Sequence, residues 1–151
     1  MKRPTETKRA GIAFKLQRRF EKPRDVVFRA WTDPEVLKLW WCPEGWIPAE
    51  IKIDLRVGGS YRIGMRRKTG GLPVYVEGTF LEVNSPEALA YTWNWKNAFD
   101  EMPQTRVTVR FFSEGEATVV FLEHDSLSEI SVCLMHRSGW LAALERIRQI
   151  L

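Results

Sequence analysis

The sequence predicts an α+β fold in which a curved antiparallel sheet wraps around a long C-terminal helix. Three observations carry this expectation. The stretch Ser126–Leu151 places apolar side chains at helical spacing over an arc of roughly 200°, about twice the stripe a surface helix needs. Ahead of it come six strand-like segments, most of them alternating apolar and polar residues with period two, and short turns separate them as in successive hairpins. A further alternating segment opens the pattern, divided from the six by two short helical stretches.

In chain order, Ile12, Phe14, Leu16, Arg18 and Phe20 share one side of the first strand. Arg18 is the odd member of that inward set: either its charge snorkels out at the strand's end, or it faces a polar group of a ligand inside. Pro23 opens a short helix carrying Val26, Val27, Ala30 and Trp31. Thr32-Asp33-Pro34-Glu35 restarts it, with a proline at the first helical position and a glutamate closing a capping box, and this second helix runs to about Trp40-Trp41. Cys42-Pro43-Glu44-Gly45 is a loop.

The clearest strand follows, with Ile47, Ala49, Ile51, Ile53, Leu55 and Val57 facing in against Glu50, Lys52, Asp54 and Arg56. Gly58-Gly59 turns into Tyr61, Ile63 and Met65. The next strand covers Val74–Val83, where Gly78 marks a bend or bulge. After the Asn84-Ser85-Pro86-Glu87 turn, Leu89, Tyr91, Trp93 and Trp95 share a face. A loop around Asp100 leads to Val107, Val109 and Phe111, and Gly115 turns into a last strand, Thr118–His124, apolar on both sides.

The terminal helix opens with a capping box, Ser126-Leu127-Ser128-Glu129. Ile130, Cys133, Leu134, Trp140, Leu141, Leu144, Ile147 and Leu151 form its apolar side, widened by Val132, Ala143 and Ile150. Ser131, Ser138, Glu145, Arg146 and Gln149 fall on the opposite arc with Met135, Gly139 and Ala142. His136 and Arg137 sit within the buried arc. A helix of this breadth, about 36 Å long, belongs in a concave sheet.

Composition bounds the function. A chain of 151 residues suits one domain, here residues 11–151 behind a disordered basic tail at 1–10, and seven tryptophans promise an aromatic interior. The tail holds four basic residues and one acidic, leaving 19 basic and 18 acidic side chains in the remainder. The basic pI of about 9.3 therefore belongs to the tail, and no nucleic-acid partner is expected. No apolar run approaches a membrane span and no signal peptide is visible, which points to a cytoplasmic protein without a membrane partner. Cys42 and Cys133 fit that compartment as reduced thiols.

His124, His136, Cys42 and Cys133 share no metal-ligand spacing, so no metal is expected, and no cofactor either. There is no Gly-x-Ser-x-Gly, and Gly58-Gly59 lacks the spacing of a phosphate loop. What remains is an aromatic interior with a few polar members: Tyr61, Trp93 and Trp95 on inward strand faces, and His136 on the helix one turn from Trp140. These are either core residues whose polar tips find backbone partners, or the lining of an apolar cavity with a few convergent polar groups.

Several segments together resemble one family. They are Val27-Phe28-Arg29-Ala30-Trp31-Thr32-Asp33-Pro34-Glu35, Leu39-Trp40-Trp41-Cys42-Pro43, Asp54 to Tyr61 with its Gly58-Gly59 corner, Tyr91-Thr92-Trp93, and His136-x-x-Gly139-Trp140-x-x-x-Leu144. In this order they are similar to the family named for the activator of heat-shock protein 90 ATPase (C-terminal-domain type), within the START-related helix-grip superfamily, SRPBCC. The resemblance covers Ile12 to Leu151 and implies the helix-grip fold. The first expectation for function is a non-enzymatic binding module, with a cavity between sheet and helix for a small apolar or aromatic molecule held by Tyr61, Trp93, Trp95, His136 and Arg18. The alternative, from the resemblance, is a co-chaperone-like role in the stress response with a chaperone partner bound on the sheet's outer face. A third is an aromatic cyclase or hydrolase with His136 as general base. A monomer or homodimer is expected.

Overall fold

Alternating segments become strands wherever one face can be buried, and here seven strands share one sheet whose inner face packs against the terminal helix and the two short ones. The computed structural model describes residues 11–98 and 102–151; the basic tail at 1–10 and the center of the loop around Asp100 lie outside the described residues. The order is β1 (Ile12–Phe20), α1 (Arg24–Thr32), α2 (Pro34–Trp40), β2 (Trp46–Ile53), β3 (Ser60–Arg67), β4 (Val74–Asn84), β5 (Ala88–Lys96), β6 (Thr105–Glu114), β7 (Ala117–Leu127) and α3 (Ile130–Ile150). The strands form one antiparallel sheet in the order β1-β7-β6-β5-β4-β3-β2. All its neighbors except β1 and β7 are joined by hairpins, and the chain crosses from β1 to β2 through α1 and α2. This is the α+β helix-grip architecture expected from the sequence.

The two short helices close one end. Asp33 is the hinge between them: it ends α1 and caps α2, its carboxylate accepting the Glu35 N–H at 2.9 Å, with Pro34 just inside. The Arg29 guanidinium beside Asp33 holds its carboxyl below the usual range. Trp40 is 1% exposed and its indole donates to the Ala30 carbonyl at 2.7 Å, which locks the angle between α1 and α2. Gly78 sits where β4 and β5 come closest: a side-chain carbon there would lie 2.0 Å from the Thr92 carbonyl oxygen, so only glycine fits.

Four details differ from the pattern-based expectation. Pro23 stands at the cap position and α1 begins at Arg24, because its extended ψ of 158° has not yet entered the helix. β2 ends at Ile53; Leu55 and Val57 are largely exposed, since Asp54 turns back to accept Arg56 and pair with its guanidinium. β7 runs on to Leu127, so the terminal helix starts three residues later than its capping box suggests. Ser126 has φ 68° and its hydroxyl bonds Asp125, and Glu129 occupies the cap position without a side-chain bond. The buried stripe of α3 is also narrower: Cys133, His136, Trp140, Ala143, Leu144 and Ile147 are buried, while Ile130, Leu134 and Arg137 are exposed. The sheet grips one side of the helix rather than surrounding it.

Candidate functional site

Among the strands α3 comes closest to β1 and β7, and it packs against α2 as well. At 100° per residue its inward side splits into two flanks. Cys133 and Leu144 lie on the flank toward the packed core. Met135, Gly139, Ala142 and Arg146 lie on the other, with His136, Trp140, Ala143 and Ile147 between. Beside that second flank is a cavity of about 260 Å³. Its walls are Trp93 and Trp95 from β5, Met65 from β3, Trp40, Trp41 and Pro43 from the end of α2, and the flank of α3 from Met135 to Arg146. Met135, Gly139 and Ala142 are exposed and form its rim.

The polar groups around the cavity form a short ordered network. The Trp95 indole donates to His136 Nε2 at 3.0 Å, and His136 Nδ1 lies 2.8 Å from the Val132 carbonyl. An indole N–H only donates, so Nε2 carries the lone pair and Nδ1 the proton. Behind it, Trp140 donates to His124 Nδ1 at 3.2 Å, and His124 Nε2 is 2.8 Å from Thr105 Oγ1. His124 is thus the opposite tautomer, donating through Nε2 to Thr105, whose hydroxyl reaches the Trp93 carbonyl at 3.4 Å. The two imidazoles stand edge to face with centroids 4.9 Å apart.

Both rings are held neutral. Burial pushes His124 down to about 3, with His136 adding to the shift. Burial also lowers His136, partly opposed by its bond to the Val132 carbonyl. Protonating either ring would turn an acceptor nitrogen into a donor facing an indole N–H, so geometry and desolvation agree.

Among the described residues of the lining, Arg146 supplies the one formal charge. Its Nε donates to the Trp40 carbonyl at 2.7 Å and Nη2 to the Trp41 carbonyl at 3.3 Å, capping the C-terminal end of α2 with a cation. Cys42 is nearby, and burial pushes its thiol up to about 11, so it stays neutral. Trp93 is 6% exposed, and its indole N–H has no hydrogen-bond partner among the described residues.

Of the residues singled out from sequence, Trp93, Trp95 and His136 come together at this cavity. Tyr61 does not join them. It is buried beyond Trp41, among Phe80, Tyr91, Trp31 and Leu37, and its hydroxyl donates to the Thr92 carbonyl at 2.5 Å. Arg18 does not either: it is exposed on β1 and donates to the adjacent Gln17 carbonyl. The sequence reading missed Trp41, Met65, Gly139 and Arg146. The last two lay on the arc read as facing solvent, although a glycine inside a helix is a cost that signals another purpose.

Among the described residues no helix is long and apolar enough to cross a membrane, and no group of three His, Cys, Asp or Glu is placed to hold a metal. The family described as "Activator of Hsp90 ATPase homolog 1-like protein" matches residues 21–151. Solved structures share the fold. One is a protein from Chromobacterium violaceum, 23% identical, TM-score 0.81, covering 91% of this chain and 95% of its own. Another is an AHSA1 protein from Silicibacter pomeroyi, 23% identical, TM-score 0.79, covering 91% and 96%. An AHSA1-like protein from Aeromonas hydrophila is 25% identical with a TM-score of 0.75, covering 91% and 90%. No curated protein matches the chain.

Proposed function

This chain belongs to the activator of Hsp90 ATPase homolog 1-like family, and we propose that it is a soluble, non-enzymatic binding module whose cavity between β5, α2 and α3 takes a small, largely aromatic molecule. The single observation that carries this reading is the cavity itself: about 260 Å³ with five tryptophans on its walls. A dry cavity of about 150 Å³ accommodates benzene, so this one suits a molecule of one or two rings. A general-base role for His136 is disfavored, because both of its ring nitrogens are already engaged and its protonated form is opposed by burial.

A ligand burying about 300 Å² of apolar surface gains about 7–8 kcal/mol gross. Lost freedom takes back at least about 4 kcal/mol, and polar contacts restore part of that. Affinities on the order of micromolar to tens of micromolar follow. Titrating one- and two-ring aromatics against intrinsic tryptophan fluorescence tests this, since the ligand would lie against Trp93 and Trp95. Saturable quenching that Trp95→Ile weakens about tenfold, with the fold intact by circular dichroism, is the expected result. No saturable response from any of them up to about 1 mM would sink the carrier reading.

The second reading, a co-chaperone-like contact, is favored by one feature on the sheet's other face. Phe112 and Phe121 pair edge to face across β6 and β7 with centroids 5.4 Å apart, yet are 51% and 42% exposed. Loss of chaperone binding on Phe121→Ser, with ligand binding unchanged, would favor it.

A further inference from the structure

The proposed ligand's chemistry can be narrowed from the donors around the cavity. Arg146 is half-buried, and among the described residues no carboxylate pairs with it. Two of its N–H groups are spent on the Trp40 and Trp41 carbonyls, whose dipoles balance only part of a full positive charge. The neighboring Cys42 thiol stays protonated and supplies no counter-charge. Trp93 also lines the walls, but its unpartnered indole N–H is itself buried. The lining's acceptors, by contrast, are taken: His136 Nε2 by Trp95 and the two α2 carbonyls by Arg146. A lining whose acceptors are engaged and whose cation has no carboxylate partner among the described residues wants an acceptor-rich anion.

We propose that the cavity is a site for a small aromatic monocarboxylate, its carboxylate on the Arg146 guanidinium and its ring system among Trp41, Trp93 and Trp95. This rests on the ligand-binding reading above and goes beyond it by fixing the charge of the ligand and the residue that reads it. A neutral hydrocarbon of the same size would fill the apolar walls but leave the guanidinium uncompensated.

The test uses a matched pair, 2-naphthoate and its neutral isostere 2-naphthamide, titrated by calorimetry into the full-length protein at about pH 7.5, where the acid is ionized. The expected result is that the carboxylate binds at least about tenfold tighter, as a charge-assisted contact would give. In Arg146→Gln the preference should fall to within about twofold, because the carboxylate loses far more affinity than the amide. Arg146→Lys, which keeps the charge without the planar fork, should retain part of it. If both probes bind the wild type equally, the anion inference is overturned and the carrier reading stands. Preference for the carboxylate undiminished in Arg146→Gln also overturns it. If neither probe binds below about 1 mM, the carrier reading fails and this inference with it. Should Arg146→Gln unfold through loss of its cap on α2, the wild-type pair and the lysine variant still decide.

Discussion

The two halves of the sheet meet the terminal helix differently. On the β1–β7 side, Phe14, Leu16, Val120 and Leu122 belong with Leu144 and Ile147 to a buried cluster, each 7% exposed or less. On the β3–β5 side, Met65, Trp93 and Trp95, with Met135 of the helix, are apolar too but stand around a space of about 260 Å³, although Trp93 itself belongs to the same buried cluster. The difference is not hydrophobicity. α3 lies closest to β1 and β7, and the distance to the other half is bridged by indoles rather than filled. Hydrophobic pattern thus decides what is inside, and the seating of the helix decides which inside is solid.

The sharpest way to break this comparison is to remove the same volume from each half. Leu144→Ala takes a 2% exposed side chain from the packed half and should cost about 2–5 kcal/mol in urea unfolding. Met135→Ala, at the cavity rim and 40% exposed, should cost less than about 1 kcal/mol. Equal losses would mean that the two halves are packed alike.

Much of this was legible because a strand's two faces are a local matter. Leu122 and His124 are two apart, so His124 must point inward with Val120, and the same register sends Tyr61, Trp93 and Trp95 inside. What the alternation lacks is position across the sheet, which is why Tyr61, inward as expected, lies in a different part of the interior from Trp93. Helical periodicity fared less well. It gives the angle between side chains but not which angle meets the sheet, so Gly139 and Arg146 read as solvent-facing and Ile130 and Leu134 as buried. The start of α3 was misplaced for a related reason: Ser126 and Glu129 carry the right capping residues, but pairing of β7 with β1 reaches Leu127 and claims that backbone first.

A second contrast is in pH. The unfolded histidines titrate near 6.5, whereas folded His124 resists protonation to about 3 and His136 shifts in the same direction. Below pH 6.5 the unfolded chain binds more protons, so stability should fall as pH drops, by up to roughly 1.4 kcal/mol per pH unit for each ring. The carboxyls of Asp33, Glu50 and Glu145 are held below their usual values, by Arg29, by Lys52 and Arg62, and by Arg148, and their contributions are lost only at lower pH. Unfolding measured between about pH 6.5 and 5.5 therefore isolates the histidines. His124→Gln, at the fully buried ring, should flatten that slope more than His136→Gln at the cavity wall. A wild-type stability that is flat across this window would overturn the neutral-pair assignment.

The smallest effect is the most discriminating, because it should change sign between stability and binding. Gly139 lies inside α3, where glycine costs roughly 0.5–1 kcal/mol relative to alanine. A side-chain carbon built there meets nothing within 4 Å, and the residue stands on the cavity's rim. Gly139→Ala should therefore stabilize the protein by about that amount, read as a raised urea midpoint at unchanged slope. Gly139→Leu has the same open position to occupy, and its branched end extends toward the space bounded by Met135 and Trp95. It should leave stability near or above wild type while weakening any aromatic ligand about tenfold or more. In the packed half no substitution should behave this way, since added volume there strains the core. If Gly139→Leu destabilizes as a core overpacking does, the two halves are one continuous core and the space between them is not a site.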